Sequence, residues 1–178
     1  METAPSPADA PFTTAPDESW FVCHARPRCE KKFAALMQAE KMAHYLPLLE
    51  VEKDYDGRIR RSTKPLFPGY VFARVPVARK SRIYQQDLLA RVLPVADEQL
   101  FLSQLEDVRV IVASGLETTL HPLLRKGVPV RITSGPLKGL EGVVDNPDHP
   151  QGIVLAVDVL QQGLLVKVPM THLKLLPR

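Results

Sequence analysis

The side chains able to act as nucleophiles, bases or metal ligands are few and scattered in this 178-residue sequence. Cys23 and His24 are adjacent, and adjacent side chains on a strand point to opposite faces, so they cannot form a nucleophile and base pair. Cys29, the second of two cysteines, has no Cys or His pair at metal-ligand spacing. The other histidines fit no acid–base or metal pattern, and no Gly-rich phosphate loop precedes a helix. The sequence therefore predicts free thiols, no metal or other cofactor, and no enzyme activity.

Basic side chains offer a second kind of chemistry, the binding of phosphate groups. The net charge is only +3, but it is unevenly distributed. Residues 1–19 contain four acidic residues and no Lys or Arg, residues 20–121 contain 16 basic and 12 acidic residues, and residues 122–178 contain 7 and 4. The chain after the acidic tail is thus basic, which is compatible with contact to nucleic acid.

The segment from Lys64 to Arg74 combines a turn with an aromatic strand. Its two prolines and one glycine predict an entry loop, and the β-branched and aromatic residues that follow predict a strand. By alternation one strand face carries Val71, Ala73 and Val75, and the other carries Tyr70, Phe72 and Arg74. Because neither face is purely polar, this strand either lies between two layers or presents its second face to a partner.

The elements around this strand predict an α+β sandwich over residues 20–115. Residues 1–19 contain four prolines and little that could form a core, so we expect a disordered tail. The following patterns predict, in order, a strand, a helix, a hairpin with an Asp-Gly turn, the aromatic strand, a helix, a short strand and a helix. Their ranges are 20–25, 29–42, 44–62, 70–75, 81–91, 92–95 and 98–114.

The C-terminal part has a different texture. Residues 116–126 carry no strong period and are predicted to be a linker. From residue 127 to 178, five short β-branched segments alternate with turns, one of them at Asn146-Pro147-Asp148. This pattern predicts a small five-stranded, SH3-like β-barrel.

The sequence shows no signal for a membrane. No apolar run approaches the roughly 20 residues of a membrane span, and the N-terminus lacks the layout of a signal peptide. We therefore expect a cytoplasmic protein.

Two motifs in this order resemble the NusG family of transcription elongation and antitermination factors. Trp20-Phe21-Val22 and Leu66-Phe67-Pro68-Gly69-Tyr70-Val71-Phe72 resemble the N-terminal NGN domain, and residues 127–144 resemble the KOW module. The resemblance covers about residues 20–178. The path from Pro47-Leu48-Leu49 through the hairpin is more similar to specialised paralogues such as RfaH than to housekeeping NusG. The C-terminal β pattern argues against an RfaH-like helical state of that domain.

The resemblance implies that the first domain binds RNA polymerase at the clamp helices of its largest subunit. Aromatic side chains on a strand face would supply the rigid apolar anchors that dominate interface energy. The implied polymerase-binding residues are Phe67, Pro68, Tyr70, Phe72, Val22 and His24.

Two further sites follow from the same resemblance. A basic set would contact non-template DNA; it comprises Arg26, Arg28, Lys31, Lys32, Arg79, Lys80 and Arg82. A loop of the KOW barrel would bind a ribosomal protein or the termination factor Rho; it comprises Ser134, Gly135, Pro136, Leu137, Lys138, Gly139, Leu140 and Glu141. Such a protein suppresses pausing or termination, performs no chemistry of its own, and is expected to be a monomer.

An RNA-binding or ribosome-associated protein is the alternative, because KOW segments also occur in ribosomal proteins. It predicts tight RNA binding by residues 122–178 alone. The polymerase hypothesis predicts instead that residues 20–115 bind polymerase without them.

Overall fold

A computed structural model gives the structure of the protein and describes residues 12–123, 127–144 and 152–177. The turn predicted at residues 146–148 lies outside the described residues. The chain divides into two compact units, one ending at Glu98 and one beginning at Gln99. Each unit is described by itself below.

The first unit is a four-stranded antiparallel sheet with helices on one face and a separate two-stranded hairpin. Its elements are β1 (Glu18–Ala25), α1 (Glu30–Ala39), β2 (His44–Tyr45), β3 (Leu48–Tyr55), β4 (Arg58–Pro65), β5 (Tyr70–Pro76), α2 (Lys80–Tyr84) and β6 (Leu89–Pro94). The sheet order is β2-β5-β1-β6, and β3 and β4 form the hairpin.

The core of this unit lies between the sheet and its helices. Val71, Ala73 and Val75 of β5 are fully buried and share a core cluster with Phe33 of α1 and Ile83 of α2. The alternation predicted for β5 is therefore confirmed, and Tyr70, Phe72 and Arg74 lie on the opposite face.

The hairpin turn follows its sequence signal. Asp56 and Gly57 both have positive φ, 52° and 79°, as a two-residue type I′ turn requires. The Gly57 amide also donates to Oδ1 of Asp54 at 2.8 Å. The hairpin extends to Pro65, three residues beyond the predicted end.

The prediction of disorder for residues 1–19 does not hold for residues 12–19. Phe12 packs against Trp20 and Tyr45, with ring centroids 5.8 and 5.0 Å away. The Thr13 carbonyl accepts hydrogen bonds from the Trp20 indole at 3.0 Å and from Arg74 at 2.8 Å. The Phe12 ring and the Thr13 carbonyl and hydroxyl thus help to anchor a segment whose composition resembles a disordered tail.

The second helix is shorter than predicted. Its periodicity suggested residues 81–91, but α2 ends at Tyr84 and Leu89 already begins β6. This strand pairs with β1, placing Leu89 opposite Ala25 and Leu93 opposite Val22. The pairing of β6 with β1 outweighs the tendency of residues 85–91 to continue the helix, which has no side-chain hydrogen bond capping its N-terminus.

The second unit contains a long helix and a six-stranded antiparallel sheet. Its elements are α3 (Glu98–Ser114), β7 (Thr118–Pro122), β8 (Val128–Ile132), β9 (Glu141–Val144), β10 (Ile153–Val157), β11 (Gln162–Val166) and β12 (Leu173–Leu175). The strand order is β12-β8-β9-β10-β11-β7. The predicted fold class, an α+β sandwich followed by a small β-barrel module, is confirmed, with six strands rather than five in the C-terminal sheet.

Two features of this unit differ from the expected arrangement. Strand β7 lies in the segment predicted to be a linker, and it pairs with β11 over five residues.

Helix α3 has the predicted bounds, and Gly115 follows it at φ +68°. However, its residues from Gln99 onward belong to the second unit, whereas the sequence suggested that the helix belongs to the first. Gln104 links α3 to the segment after β10. Its side chain accepts a hydrogen bond from the Asp158 amide at 3.0 Å and donates one to the Asp158 carboxylate at 2.5 Å.

Candidate functional site

A tight turn brings the chain into the aromatic strand β5. The Tyr70 amide donates to the Phe67 carbonyl at 3.0 Å, and Gly69 has φ +87°, the pattern of a type II turn with Pro68 and Gly69 at its centre. The Gly69 amide donates to Oε1 of Glu30 at 2.8 Å, and the Gly69 carbonyl accepts from Ala25 at 2.7 Å. The turn is therefore tied to both α1 and β1.

Gly69 is also needed for a close approach to His24. A Cβ at this position would lie 3.1 Å from two atoms of the His24 ring, in a conformation that side chains already disfavour. The His24 ring in turn stacks on Tyr70, with centroids 4.8 Å apart and planes 16° from parallel. The turn thus positions two ring systems side by side.

Register places the predicted polymerase-binding residues of β1 and β5 directly opposite one another. Val22 pairs with Phe72, and His24 pairs with Tyr70. The Phe67 ring meets Phe72 edge-on, with centroids 6.1 Å apart. The structure therefore brings together the residues predicted for this site: Phe67, Pro68, Tyr70, Phe72, Val22 and His24.

These residues differ in exposure. Pro68 is exposed, and His24 and Tyr70 are half-buried. Phe67, Phe72 and Val22 are fully buried. The accessible part of the cluster is therefore its edge at Pro68, Tyr70 and His24.

The cluster also includes aromatic residues that the sequence analysis did not assign to it. Tyr45 of β2 lies next to Phe72, with ring centroids 6.5 Å apart. Trp20 lies on the same strand face as Val22, because side chains alternate along a strand. The alternation rule applied to β1 would therefore have been enough to predict Trp20 as a member of the cluster. Tyr45 had no such signal because β2 contains only two residues. Beside Trp20 lies a cavity of about 470 Å³, which Phe12 and His44 help to line.

The seven predicted nucleic-acid-binding cations do not form one patch. Arg79 and Arg82 both pair with Glu40 just after α1, at 3.3 and 3.2 Å. The Lys80 ammonium lies over the Phe21 ring, 5.3 Å from its centroid.

The remaining members of the set lie on α1 or just before it. Lys31 donates to the carbonyl and hydroxyl of Thr63 at 2.7 and 2.9 Å. Arg26, Arg28 and Lys32 are exposed. The set is thus divided between the two ends of α1, about 15 Å apart for a ten-residue helix.

The predicted partner-binding residues of the barrel lie in the loop between β8 and β9, except for Glu141, which is the first residue of β9. Gly135 and Gly139 adopt positive φ, 83° and 95°, and the Gly139 amide donates to the Ile132 carbonyl at 2.8 Å. Leu137 is buried and anchors the loop. The exposed residues of the predicted set are Gly135, Pro136, Lys138, Gly139 and Glu141, with Ser134 and Leu140 half-buried.

Cys23 lies in the core of the first unit. Its burial raises the pKa of the thiol to about 12, so the thiol stays protonated at neutral pH. Within the described ranges, no three His, Cys, Asp or Glu side chains are grouped as metal ligands. None of the helices in those ranges is both long and apolar enough to cross a membrane.

Comparisons with known proteins identify the family. The family model described as transcription termination factor nusG matches residues 18–121, more than half of the chain. No curated protein sequence matches. A solved structure described as domain interaction in Thermotoga maritima NusG is 14% identical, with a TM-score of 0.49, covering 88% of this chain and 96% of that one. A structure of an MjSpt4:Spt5 complex is 15% identical, with a TM-score of 0.28, covering 89% and 97%. These TM-scores are too low to add to the assignment, which rests on the family model: the chain belongs to the NusG family of transcription elongation factors.

Proposed function

We propose that this chain is a specialised NusG paralogue that binds RNA polymerase and suppresses pausing or termination. The observation that carries the proposal is the aromatic cluster on the second face of β1 and β5. An aromatic edge beside a rigid turn provides large contact area at a low cost in side-chain entropy. We propose the clamp helices of the polymerase as its partner.

Within this interface the residues have different roles. Pro68, Tyr70 and His24 supply accessible surface, while Phe67 and Phe72 support them through their ring contacts. The hydrogen bonds of the Gly69 amide and carbonyl keep the turn rigid, so the turn loses little conformational entropy on binding. The protein acts by contact and has no catalytic role.

The other proposed partners occupy separate surfaces. Arg26, Arg28 and Lys32 contact non-template DNA through phosphate groups. The loop from Ser134 to Glu141 binds a ribosomal protein or Rho. We place the protein in the cytoplasm, as a monomer.

The test is binding of purified core RNA polymerase to the full chain and to a Tyr70→Ala/Phe72→Ala variant. We expect the wild type to bind and the variant to lose at least tenfold in affinity, since a hot-spot aromatic such as Tyr70 contributes about 2 kcal/mol and Phe72 supports the rings beside it. Circular dichroism must show that the variant is folded. In a transcription assay, the wild type should shorten pauses and the variant should not.

Tyr84→Ala is the matched control. Tyr84 is 51% exposed and lies on α2, which packs on the face of the sheet opposite to Tyr70 and Phe72. Its loss should leave polymerase affinity unchanged. If the wild type does not bind polymerase, the proposal is wrong, and RNA binding by the C-terminal module becomes the leading hypothesis.

A further inference from the structure

The hairpin of β3 and β4 has two faces of opposite charge. Its strands pair without interruption from Leu48 opposite Pro65 to Tyr55 opposite Arg58. Because side chains alternate, each face takes every second residue of both strands. The basic face consists of Leu49, Val51, Lys53, Tyr55, Arg58, Arg60, Ser62 and Lys64. The acidic face consists of Leu48, Glu50, Glu52, Asp54, Ile59, Arg61, Thr63 and Pro65.

The basic face carries four cations and no carboxylate, whereas the acidic face carries three carboxylates and one cation. On the acidic face, Arg61 pairs with Glu52 at 2.7 Å. Among the residues that the structure describes, none of the four cations of the basic face forms an ion pair. Their charge is therefore available to an external anion.

The basic face of the hairpin is accessible. Lys31 of α1 donates to Thr63 on the acidic face, which ties that face to α1. Lys53, Arg58, Arg60 and Lys64 are all exposed. Tyr55, at the end of the same face, is 55% exposed.

We propose that the basic face of the hairpin binds single-stranded nucleic acid, with its cations on the phosphates and Tyr55 stacked on a base. The pairs Lys53–Arg60 and Tyr55–Arg58 are successive on this face and about 6.8 Å apart, so a chain of phosphates crossing the face meets cations in sequence. A basic surface with an aromatic platform is the combination that recognises single strands. This surface is distinct from the polymerase interface and does not depend on it.

The acidic face argues against a duplex. A β-ribbon inserted into a major groove has phosphates of both strands around it. The carboxylates of Glu50, Glu52 and Asp54 would then approach one of those strands and be repelled. A single strand contacts the basic face alone and avoids this cost.

Fluorescence anisotropy of the full chain with labelled oligo(dT) and oligo(U) tests the proposal. We expect salt-dependent binding of one or both. Replacing three cations, in Lys53→Gln/Arg58→Gln/Arg60→Gln, should reduce affinity at least tenfold. It should also lower the slope of log affinity against log salt by about 2, since each single-strand phosphate contact contributes about 0.7.

Neighbouring residues provide matched controls. Arg60→Gln should reduce affinity about threefold, whereas Arg61→Gln, the same change on the opposite face, should not. Tyr55→Ala should reduce affinity about fivefold, the equivalent of roughly 1 kcal/mol of stacking, and Ile59→Ala should not.

Four results would overturn the proposal: equal losses from Arg60→Gln and Arg61→Gln, tighter binding of a duplex than of either single strand, no oligonucleotide binding at all, or normal oligonucleotide binding by the triple variant. If the triple variant binds oligonucleotides normally but loses affinity for polymerase, the basic face contacts protein instead. The Tyr70→Ala/Phe72→Ala variant separates the two sites, because it should bind oligonucleotides like the wild type.

Discussion

Asp107 of α3 is a half-buried carboxyl near two other carboxylates. Partial burial, then the charges of Glu106 and Glu141, raise its pKa from 3.8 to about 6. Between these two values the folded protein retains a proton that the unfolded chain has released. The free energy of unfolding therefore falls as pH rises from about 4 to about 6, and the loss persists above that range.

Asp107→Asn should remove this penalty. The amide has the same shape and no charge, so we expect the variant to be more stable than the wild type at pH 7 by about 1 kcal/mol, after allowing for solvent screening. Urea unfolding at a series of pH values would measure the difference. The gain should shrink toward zero below pH 4.

Asp87→Asn serves as the control, because Asp87 is exposed in the first unit. It should change stability little at any pH. A pH-independent gain for Asp107→Asn would mean that its charge is not the cause.

Helix α3 is joined to the following strands by a buried polar contact. Gln104 is only 8% exposed, and its side chain makes both a donor and an acceptor bond with Asp158, just after β10. A buried amide satisfied on both sides fixes the register of a helix more specifically than apolar contacts do. This contact is a reason why α3 belongs with the second unit.

Gln104→Ala should destabilise the second unit by about 2 kcal/mol, because it leaves the Asp158 amide and carboxylate without their partner. Hydrogen exchange of amides in β10 and β11 would report the local loss of protection. Gln99→Ala, an exposed glutamine of the same helix, should have almost no effect. Equal effects of the two changes would show that helix propensity, and not the contact with Asp158, is responsible.

Across the molecule, the sum of charges predicts less about binding than the pairing of each charge does. Arg79 and Arg82 share the carboxylate of Glu40, whereas Arg26 and Arg28 are exposed at the other end of α1. A cation already paired with a carboxylate offers less attraction to phosphate. The two pairs should therefore contribute unequally to DNA binding.

Arg26→Gln/Arg28→Gln should lower the salt slope of single-stranded DNA binding by about 1.4, from two contacts of about 0.7 each. Arg79→Gln/Arg82→Gln, with the same change in net charge, should lower it by less than half of that. Anisotropy titrations from low to physiological salt would compare them. Equal slopes for the two variants would contradict the role assigned to Glu40.

Much of the fold was predictable because its signals are local. Alternation identified the two faces of β5, Asp56-Gly57 identified the hairpin turn, and apolar spacing with Gly115 gave the bounds of α3. The motif at Phe67–Tyr70 led to the part of the aromatic cluster on β5 and its entry turn, whose members are close in sequence or share a strand face. Each of these signals depends on interactions over only a few residues.

The rest depended on partners distant in the chain. Helix α2 ends early because β6 pairs with β1, and β7 forms because β11 offers an edge 40 or more residues later. The tail is held by Trp20 and Arg74, and the basic residues near α2 are paired because Glu40 lies within reach. Local pattern thus determined which residues form strands, turns and helices and which family the chain resembles. Only the tertiary structure decided which strands pair, which unit α3 joins and which charges remain free, because those outcomes depend on contacts that no short segment encodes.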